Sequence, residues 1–175
     1  MNMQNASRAL RLALVGGAAL AATSPAFAGP KLFAYLNNSF IANGTTETNA
    51  NGNVDPFTIE VFSAGNECLR IAVNNQETDL EATLVAPDGR TWRDDDGNGS
   101  LRPLVKAITT TRGWHILRIS NFSGASVNAD FTFQVWRLPS TSSLCAGATT
   151  PLSTVSLNAV KSQVVPQKAQ TGGTR

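Results

Sequence analysis

Apolar and polar residues alternate along five segments of the chain, and this period of two predicts β-strands. Such a period places one row of side chains on a buried face and the other row toward solvent. The alternating segments are residues 57–61, 69–73, 80–84, 117–119 and 131–135. Between residues 30 and 140 no stretch shows a convincing helical period, so the body of the chain is predicted to be all β.

The connections between these segments are rich in Gly, Asn, Asp and Pro, which are turn formers. In APDGR, for example, Pro87 fixes φ for a turn, Asp88 tolerates the bend and Gly89 supplies a positive φ. Short strands with turns at this spacing favour an all-β sandwich with a single core. We assign it to residues 29–145, with a first strand in KLFAYL and a long Asn- and Thr-rich connection up to residue 54.

The two ends of the chain differ from this body. Residues 1–28 carry Arg8 and Arg11, the apolar run LALVGGAALAA and the small-x-small site formed by residues 26–28, which is the pattern of a secretory signal peptide. The apolar run is too short to span a bilayer, so we expect an exported protein, periplasmic or extracellular, without a membrane anchor. Residues 146–175 contain no acidic or aromatic residue and are predicted to be disordered, or ordered only by a partner.

Charge and cysteine content bear on two classes of function, nucleic-acid binding and metal or redox chemistry. Removal of the leader leaves 12 basic and 12 acidic side chains, and a chain without net positive charge is a poor nucleic-acid binder. Cys68 and Cys145 both lie in the exported part, where one disulfide is the simplest outcome. A zinc or redox role is the alternative, but the two cysteines are far apart, and His115 is the only histidine.

The run LEATLVAPDGRTWRDDDGNGSLRPLVKAITTTRGWHILRISNFSGASVNADFTFQVWRL resembles the bacterial pre-peptidase C-terminal domain, over about residues 57–138. The matching pieces are the turn at 87–89, the acidic loop at 94–99, the strand at 113–119 and the aromatic-rich strand at 131–135. The resemblance implies an antiparallel, jelly-roll-like β-sandwich that serves as an accessory module of secreted proteins. It also implies possible calcium binding or polymer binding. His115 stands where that family has a tyrosine.

The acidic loop RDDDGNGSLRP is the one candidate metal site. Asp94, Asp96 and Asn98 occupy alternate positions, as oxygen ligands do in calcium loops. Val105 stands where an EF-hand carries its bidentate Glu, which excludes a true EF-hand. Calcium binding and a solvated polar turn both remain open at this point.

Two tryptophans and the histidine complete the candidates. If Leu117 and Phe133 face the core, Trp114 and Trp136 take the outward parity and form a possible ligand face. His115 takes the inward parity, which favours a core histidine over a catalytic base. The sequence therefore predicts a non-enzymatic binding protein whose partner is an unknown protein or polysaccharide. The alternatives are a carbohydrate-binding module using the tryptophans and a small hydrolase with an unrecognised site.

Overall fold

The computed structural model describes residues 30–48, 54–124 and 127–154, and these residues form β-strands and one short 3-10 turn. The strands are β1 (Lys31–Leu32), β2 (Ser39–Thr48), β3 (Val54–Asp55), β4 (Phe57–Ser63), β5 (Glu67–Gln76), β6 (Leu80–Val85), β7 (Arg90–Asp94), β8 (Leu104–Thr109), β9 (Gly113–Asn121), β10 (Ala129–Pro139) and β11 (Ser153–Thr154). The 3-10 turn spans Ser143–Cys145. Within the described part of the chain, no helix is long and apolar enough to cross a membrane. The predicted signal peptide, 1–28, lies outside the described residues.

The strands build two packed sheets in jelly-roll order. The six-stranded sheet runs β1-β4-β9-β6-β7-β11 and the five-stranded sheet runs β3-β2-β10-β5-β8. Numbered in chain order, the eight long strands stand 1-8-3-6 in one sheet and 2-7-4-5 in the other, which is the order of two interlocked Greek keys. All strand pairs are antiparallel apart from β1 with β4. The prediction of an antiparallel, jelly-roll-like sandwich is confirmed.

The core lies between the inner faces of the two sheets, and the alternating residues supply it. Leu69, Leu117 and Phe133 are all fully buried, as the period of two requires. Trp92 on β7 joins them at 1% exposure and is the largest side chain of the core. Gly44 on β2 passes so close to the ring of Phe131 that a Cβ there would lie 2.4 Å from it, so this position requires glycine.

The sequence prediction of a long connection up to residue 54 is wrong, because β2 fills most of it. From Ser39 to Thr46, β2 pairs residue by residue with β10. Its inward row consists of Phe40, Ala42, Gly44 and Thr46, and small or polar residues in that row hide the alternation that marks a strand. The strands β7 and β8, which flank the acidic loop, are also absent from the alternating segments identified in the sequence.

The first part of the predicted tail is ordered against the sandwich, which corrects the expectation of disorder for residues 146–154. We call these residues the C-terminal strap. The Thr149 N–H donates to the carbonyl of Lys106 on β8 at 3.0 Å, and the Leu152 N–H donates to the carbonyl of Thr91 on β7 at 2.8 Å. The strap thus crosses from one sheet to the other, and β11 pairs with β7. Residues 155–175 lie outside the described residues.

A disulfide between Cys68 and Cys145 is present, as predicted, with the two Cα atoms 6.4 Å apart. It links the start of β5 to the 3-10 turn that precedes the strap. The sulfurs pack with Leu138 in a small apolar cluster separate from the main core. The disulfide therefore anchors the C-terminal end of the sandwich to the five-stranded sheet.

Candidate functional site

The acidic loop connects β7 to β8 and is closed by its own side chains. The Asp94 Oδ1 accepts hydrogen bonds from the N–H groups of Gly97 at 2.8 Å and Leu104 at 2.7 Å. Asn98 donates its side-chain Nδ2 to the carbonyl of Val73 on β5 at 2.7 Å. Side-chain oxygens that accept backbone N–H bonds in this way are typical of a stable polar turn.

The acidic loop also brings several carboxylates close together. Loss of hydration and the nearby carboxylates of Asp95, Asp79 and Asp94 raise the pKa of Asp96, and a bound cation would relieve this repulsion. Within the described residues, no group of three or more His, Cys, Asp and Glu side chains is placed to hold a metal ion. Calcium binding by Asp94, Asp96 and Asn98 stays a prediction.

The two tryptophans of the predicted ligand face lie on different sheets. Trp114 is on β9 of the six-stranded sheet and Trp136 is on β10 of the five-stranded sheet, both on the outward parity and both half-buried. Because the outer faces of two packed sheets point away from each other, the two rings do not form one platform. The prediction of a single face shared by both rings is therefore corrected.

Most of the Trp136 ring is packed against neighbouring side chains. It lies against the small apolar cluster of Cys68, Cys145 and Leu138, and the guanidinium carbon of Arg70 is 4.3 Å from its ring centroid. A cation over one ring face and a disulfide beside it leave little of this tryptophan for a ligand. Outward parity on the strand therefore does not by itself mean that a ring has exposed surface for a ligand.

Trp114 belongs to a continuous row of aromatic rings. We call this row, together with the neighbouring Leu36, the aromatic corner; its rings are Tyr35, Phe33, Phe62 and Trp114. Successive ring centroids lie 5.3, 5.2 and 5.4 Å apart. The interplanar angles are 88°, 38° and 68°, so neighbouring rings meet edge to face or tilted and do not form a flat surface.

Three cations lie over the rings of the aromatic corner. Lys31 is 5.0 Å from the Trp114 ring, Arg112 is 5.8 Å from the Phe62 ring, and Arg137 is within 5.4 Å of both Phe33 and Phe62. Lys31 also pairs with Glu60 at 3.3 Å, and Arg137 pairs with Glu67. Arg112 is exposed and has no carboxylate within 4.0 Å among the described residues, so it is available to a partner.

Hydrogen bonds fix the loop that carries the outer part of the aromatic corner. Arg137 donates Nη1 to the carbonyl of Ala34 at 2.6 Å, and Ala34 itself is buried. The Asn37 N–H donates to the Arg137 carbonyl at 2.7 Å, and the Asn38 N–H donates to the Tyr35 carbonyl at 3.0 Å. The loop is thus held at both ends, while Tyr35 projects from it with 71% of its surface exposed.

The anchor of that loop is a buried ion pair. Arg137 donates Nε and Nη2 to the two carboxylate oxygens of Glu67, each at 2.9 Å, and both side chains are buried. The Ala64 N–H also donates to Glu67 at 2.7 Å, and Ser63 lies close by. Burial alone would raise the pKa of Glu67, but these hydrogen bonds and the charge of Arg137 outweigh it, so the pKa is lowered.

His115 is a core histidine, as its parity predicted. It is fully buried on β9, and its Nδ1 donates to the carbonyl of Gly113 at 3.2 Å. Burial lowers the pKa of its imidazole, so it is neutral near pH 7. An imidazole without exposed surface cannot contact a substrate, and the hydrolase alternative therefore gains no catalytic base at this position.

Sequence reasoning missed most of the aromatic corner. It identified Trp114 through its outward parity, but Phe33 and Tyr35 were assigned to a first strand and Phe62 was not singled out. The available signal was the pair of aromatic residues in KLFAYL, which is too apolar for an ordinary connection. The contact of this segment with β4 and β9 is long-range and is visible only in the fold.

The fold has counterparts among solved structures. No protein-family model and no curated protein sequence matches this chain. Among solved structures, it is similar to Aeromonas hydrophila PliG, a periplasmic lysozyme inhibitor of g-type lysozyme, with 11% identity and a TM-score of 0.45 over 62% of this chain and 96% of that one. It is also similar to Salmonella Typhimurium PliG, an inhibitor of the same kind, with 15% identity and a TM-score of 0.42 over 62% and 99%. At these values the likeness carries no inference about a partner or an activity.

Proposed function

We propose that this chain is an exported, non-enzymatic binding protein whose aromatic corner docks against a protein partner. One observation carries the proposal. Within four consecutive residues, Phe33, Tyr35 and Leu36 expose 49%, 71% and 48% of their surfaces on a loop that is held at both ends. Apolar side chains grouped in this way on a soluble surface mark an interaction site.

The composition of the aromatic corner is that of a protein-binding hot spot. Tyr, Trp and Arg dominate the binding energy of protein interfaces, and Tyr35, Trp114 and Arg112 provide all three here. The loop is already ordered by Arg137 before any partner arrives, so binding loses little conformational entropy. An ordered loop with exposed aromatic residues is suited to specific docking.

The ring geometry favours a protein over a polysaccharide. A sugar ring stacks on an aromatic face that is flat and free, whereas neighbouring rings here meet at angles of up to 88°. Lys31 also lies over Trp114, which occupies one face of that ring. A protein surface, with its own protruding side chains, fits such an uneven set of rings better.

Export and the absence of catalysis rest on separate observations. The disulfide between Cys68 and Cys145 needs an oxidising compartment, which supports the periplasm or the extracellular space. Catalysis at His115 would require access to an imidazole that is fully buried. A role in binding needs neither access to the core nor a bound cofactor.

Site-specific crosslinking tests the proposal. A photo-reactive phenylalanine analogue replaces Tyr35, and a matched protein carries it at Leu101, which is also an exposed apolar position but lies on the acidic loop. Both proteins are incubated with the cell envelope fraction and the culture medium of the producing organism. We expect a protein adduct of defined mass at position 35 that is absent at position 101.

Two variants establish whether the aromatic corner is responsible. Tyr35→Ser and Leu36→Ser remove exposed side chains at little cost in stability, so each should weaken binding of the crosslinked partner at least tenfold, whereas Leu101→Ser should not. Equal adducts at positions 35 and 101, or equal binding by all three variants, would overturn the proposal. Binding to a polysaccharide panel that is lost in Tyr35→Ser would replace it with the carbohydrate alternative.

A further inference from the structure

We propose that β2 is a pairing edge for a second copy of this chain, which would join the five-stranded sheets of two molecules into one continuous sheet. Among the described residues, β3 pairs with β2 only at Glu47 and Thr48. Residues 39–46 pair with β10 on one side, and no strand of the described ranges pairs with them on the other. At about 3.4 Å per residue, this open edge is about 27 Å long.

The other three edges of the sandwich are each covered by a terminal segment of the chain. The strand β1 pairs with β4, β11 pairs with β7, and the strap bonds to Lys106 at the middle of β8. Within the described ranges, these contacts leave at most three consecutive residues of each strand without a neighbour: 57–59, 92–94 and 107–109. The eight-residue run on β2 is the exception.

The open edge also lacks the features with which proteins prevent edge pairing. Charged residues, prolines and bulges normally protect an edge strand. The strands β4, β7 and β8 each carry charged residues, such as Glu60, Arg93 and Lys106. The β2 sequence SFIANGTT has no charge and no proline, and its pairing with β10 is in continuous register. The first charge comes at Glu47, where β3 begins to cover the edge.

The row of side chains on the outer face of β2 is suited to a copy of itself. This row consists of Ser39, Ile41, Asn43 and Thr45, and all four are neutral. In a two-fold antiparallel pairing, side chains of the same row lie opposite one another, so no like charges meet. Ile41 is 63% exposed and would be covered by the row of the second copy.

The outer row is also ordered in advance. Thr45 donates to Asp130 at 2.6 Å, Thr132 donates to Asn43 at 2.9 Å, and Gln134 donates to Ser39 at 2.9 Å. These bonds hold the rotamers and the register of β2 against β10, so pairing requires no rearrangement of the strand. Because one strand pair covers less than the roughly 1,600 Å² of a standard interface, we expect a weak dimer with a dissociation constant between about 1 μM and about 1 mM.

Sedimentation velocity and hydrogen exchange test the proposal on the purified, exported protein. We expect the sedimentation coefficient to rise with concentration across this range. We also expect the exchange of amides in residues 39–46 to slow in parallel, while the exchange of the other strands does not change. Ile41→Lys and Asn43→Lys place charges on the edge and should each keep the protein monomeric. Thr83→Glu is the control, because it adds a charge on β6, which is paired on both sides, opposite Arg93 and Arg118.

Any one of three results would overturn the proposal. A single monomeric species up to about 1 mM would show that β2 does not pair with itself. A dimer that persists in both lysine variants would place the contact elsewhere. Amides of β2 that are protected equally at all concentrations would show that another segment of the same chain covers the edge. Since two variants are compared, loss of folding in one of them still leaves a test.

Discussion

Arg137 links the aromatic corner to the buried end of the core, so its replacement by methionine should perturb stability and the corner together. The guanidinium makes two hydrogen bonds to Glu67 and one to the carbonyl of Ala34. Methionine is similar in length but carries neither charge nor donors. It would leave the carboxylate of Glu67 buried without its cation, and the 33–36 loop without its anchor.

The size of the effect follows from burial. Arg137 and Glu67 are 5% and 4% exposed, and removing one partner of a buried pair costs about 3 to 5 kcal/mol, because the remaining charge is uncompensated. For a domain of this size, that loss lowers the Tm by about 10 to 20 °C. It is a large part of the roughly 5 to 15 kcal/mol by which domains are stable, so the measurement is best made at low temperature.

Urea unfolding at pH 7 gives the free energy for the parent, Arg137→Met, Glu67→Gln and the double variant. Because the two side chains form one unit, the double variant should lose less stability than the two single variants together. Hydrogen exchange of residues 33–38 reports on the corner separately, and it should speed up in Arg137→Met. The control is Arg93→Met, which removes an exposed pair with Glu81 and should cost less than about 1 kcal/mol.

Two results would refute this reasoning. A loss below about 1 kcal/mol in Arg137→Met would mean that the pair is worth no more than a surface pair. A large loss of stability without faster exchange at residues 33–38 would mean that the pair stabilises the core but does not hold the aromatic corner.

Three further predictions concern the disulfide, the histidine and the acidic loop. Replacing Cys68 and Cys145 by alanine, 77 residues apart, should lower the free energy of unfolding by roughly 4 kcal/mol in urea titrations, and a loss under about 1 kcal/mol would contradict the chain-entropy argument. Burial lowers the pKa of His115, so the unfolded chain binds the proton first and stability falls as the pH drops below about 6.5; a His115→Leu variant should lose that part of the pH dependence. If the acidic loop binds calcium, about 10 mM calcium should raise the Tm of the parent but not that of an Asp94→Ala/Asp96→Ala variant. An unchanged Tm in the parent would contradict calcium binding.

The sequence was sufficient to predict a strand and its buried face where buried and exposed residues alternate locally. Leu69, Leu117 and Phe133 lie on strands with one buried and one open face, and a period of two records this directly. The pattern fails at β2, because the close approach of Phe131 requires Gly44 and reduces the apolar content of the buried row. A long-range packing constraint therefore removed the local signal for that strand.

The candidate site was harder to predict from the sequence than the fold, because its contacts join distant parts of the chain. Glu67 and Arg137 are 70 residues apart, and nothing in either local sequence indicates a buried pair. The disulfide could be predicted, because two cysteines in a chain that is expected to be exported leave one simple pairing. For Trp114 and Trp136, the alternation along each strand predicted that the side chain points away from the core. Which sheet carries each ring depends on the order of the strands, which the local sequence does not show.

The aromatic corner and the β2 edge act together in a dimer. The segment that forms the aromatic corner leads directly into β2, so a dimer across the β2 edge presents two corners on one particle. The second contact with a partner that carries repeated sites is then intramolecular, and avidity exceeds the affinity of one corner by about 10² to 10⁴. Ile41→Lys should therefore weaken binding to the partner when the partner is immobilised at high density and leave binding to a single soluble partner unchanged. Surface plasmon resonance at high and low partner density measures both cases. Equal weakening in both would mean that Ile41 contacts the partner itself and that the two surfaces are one.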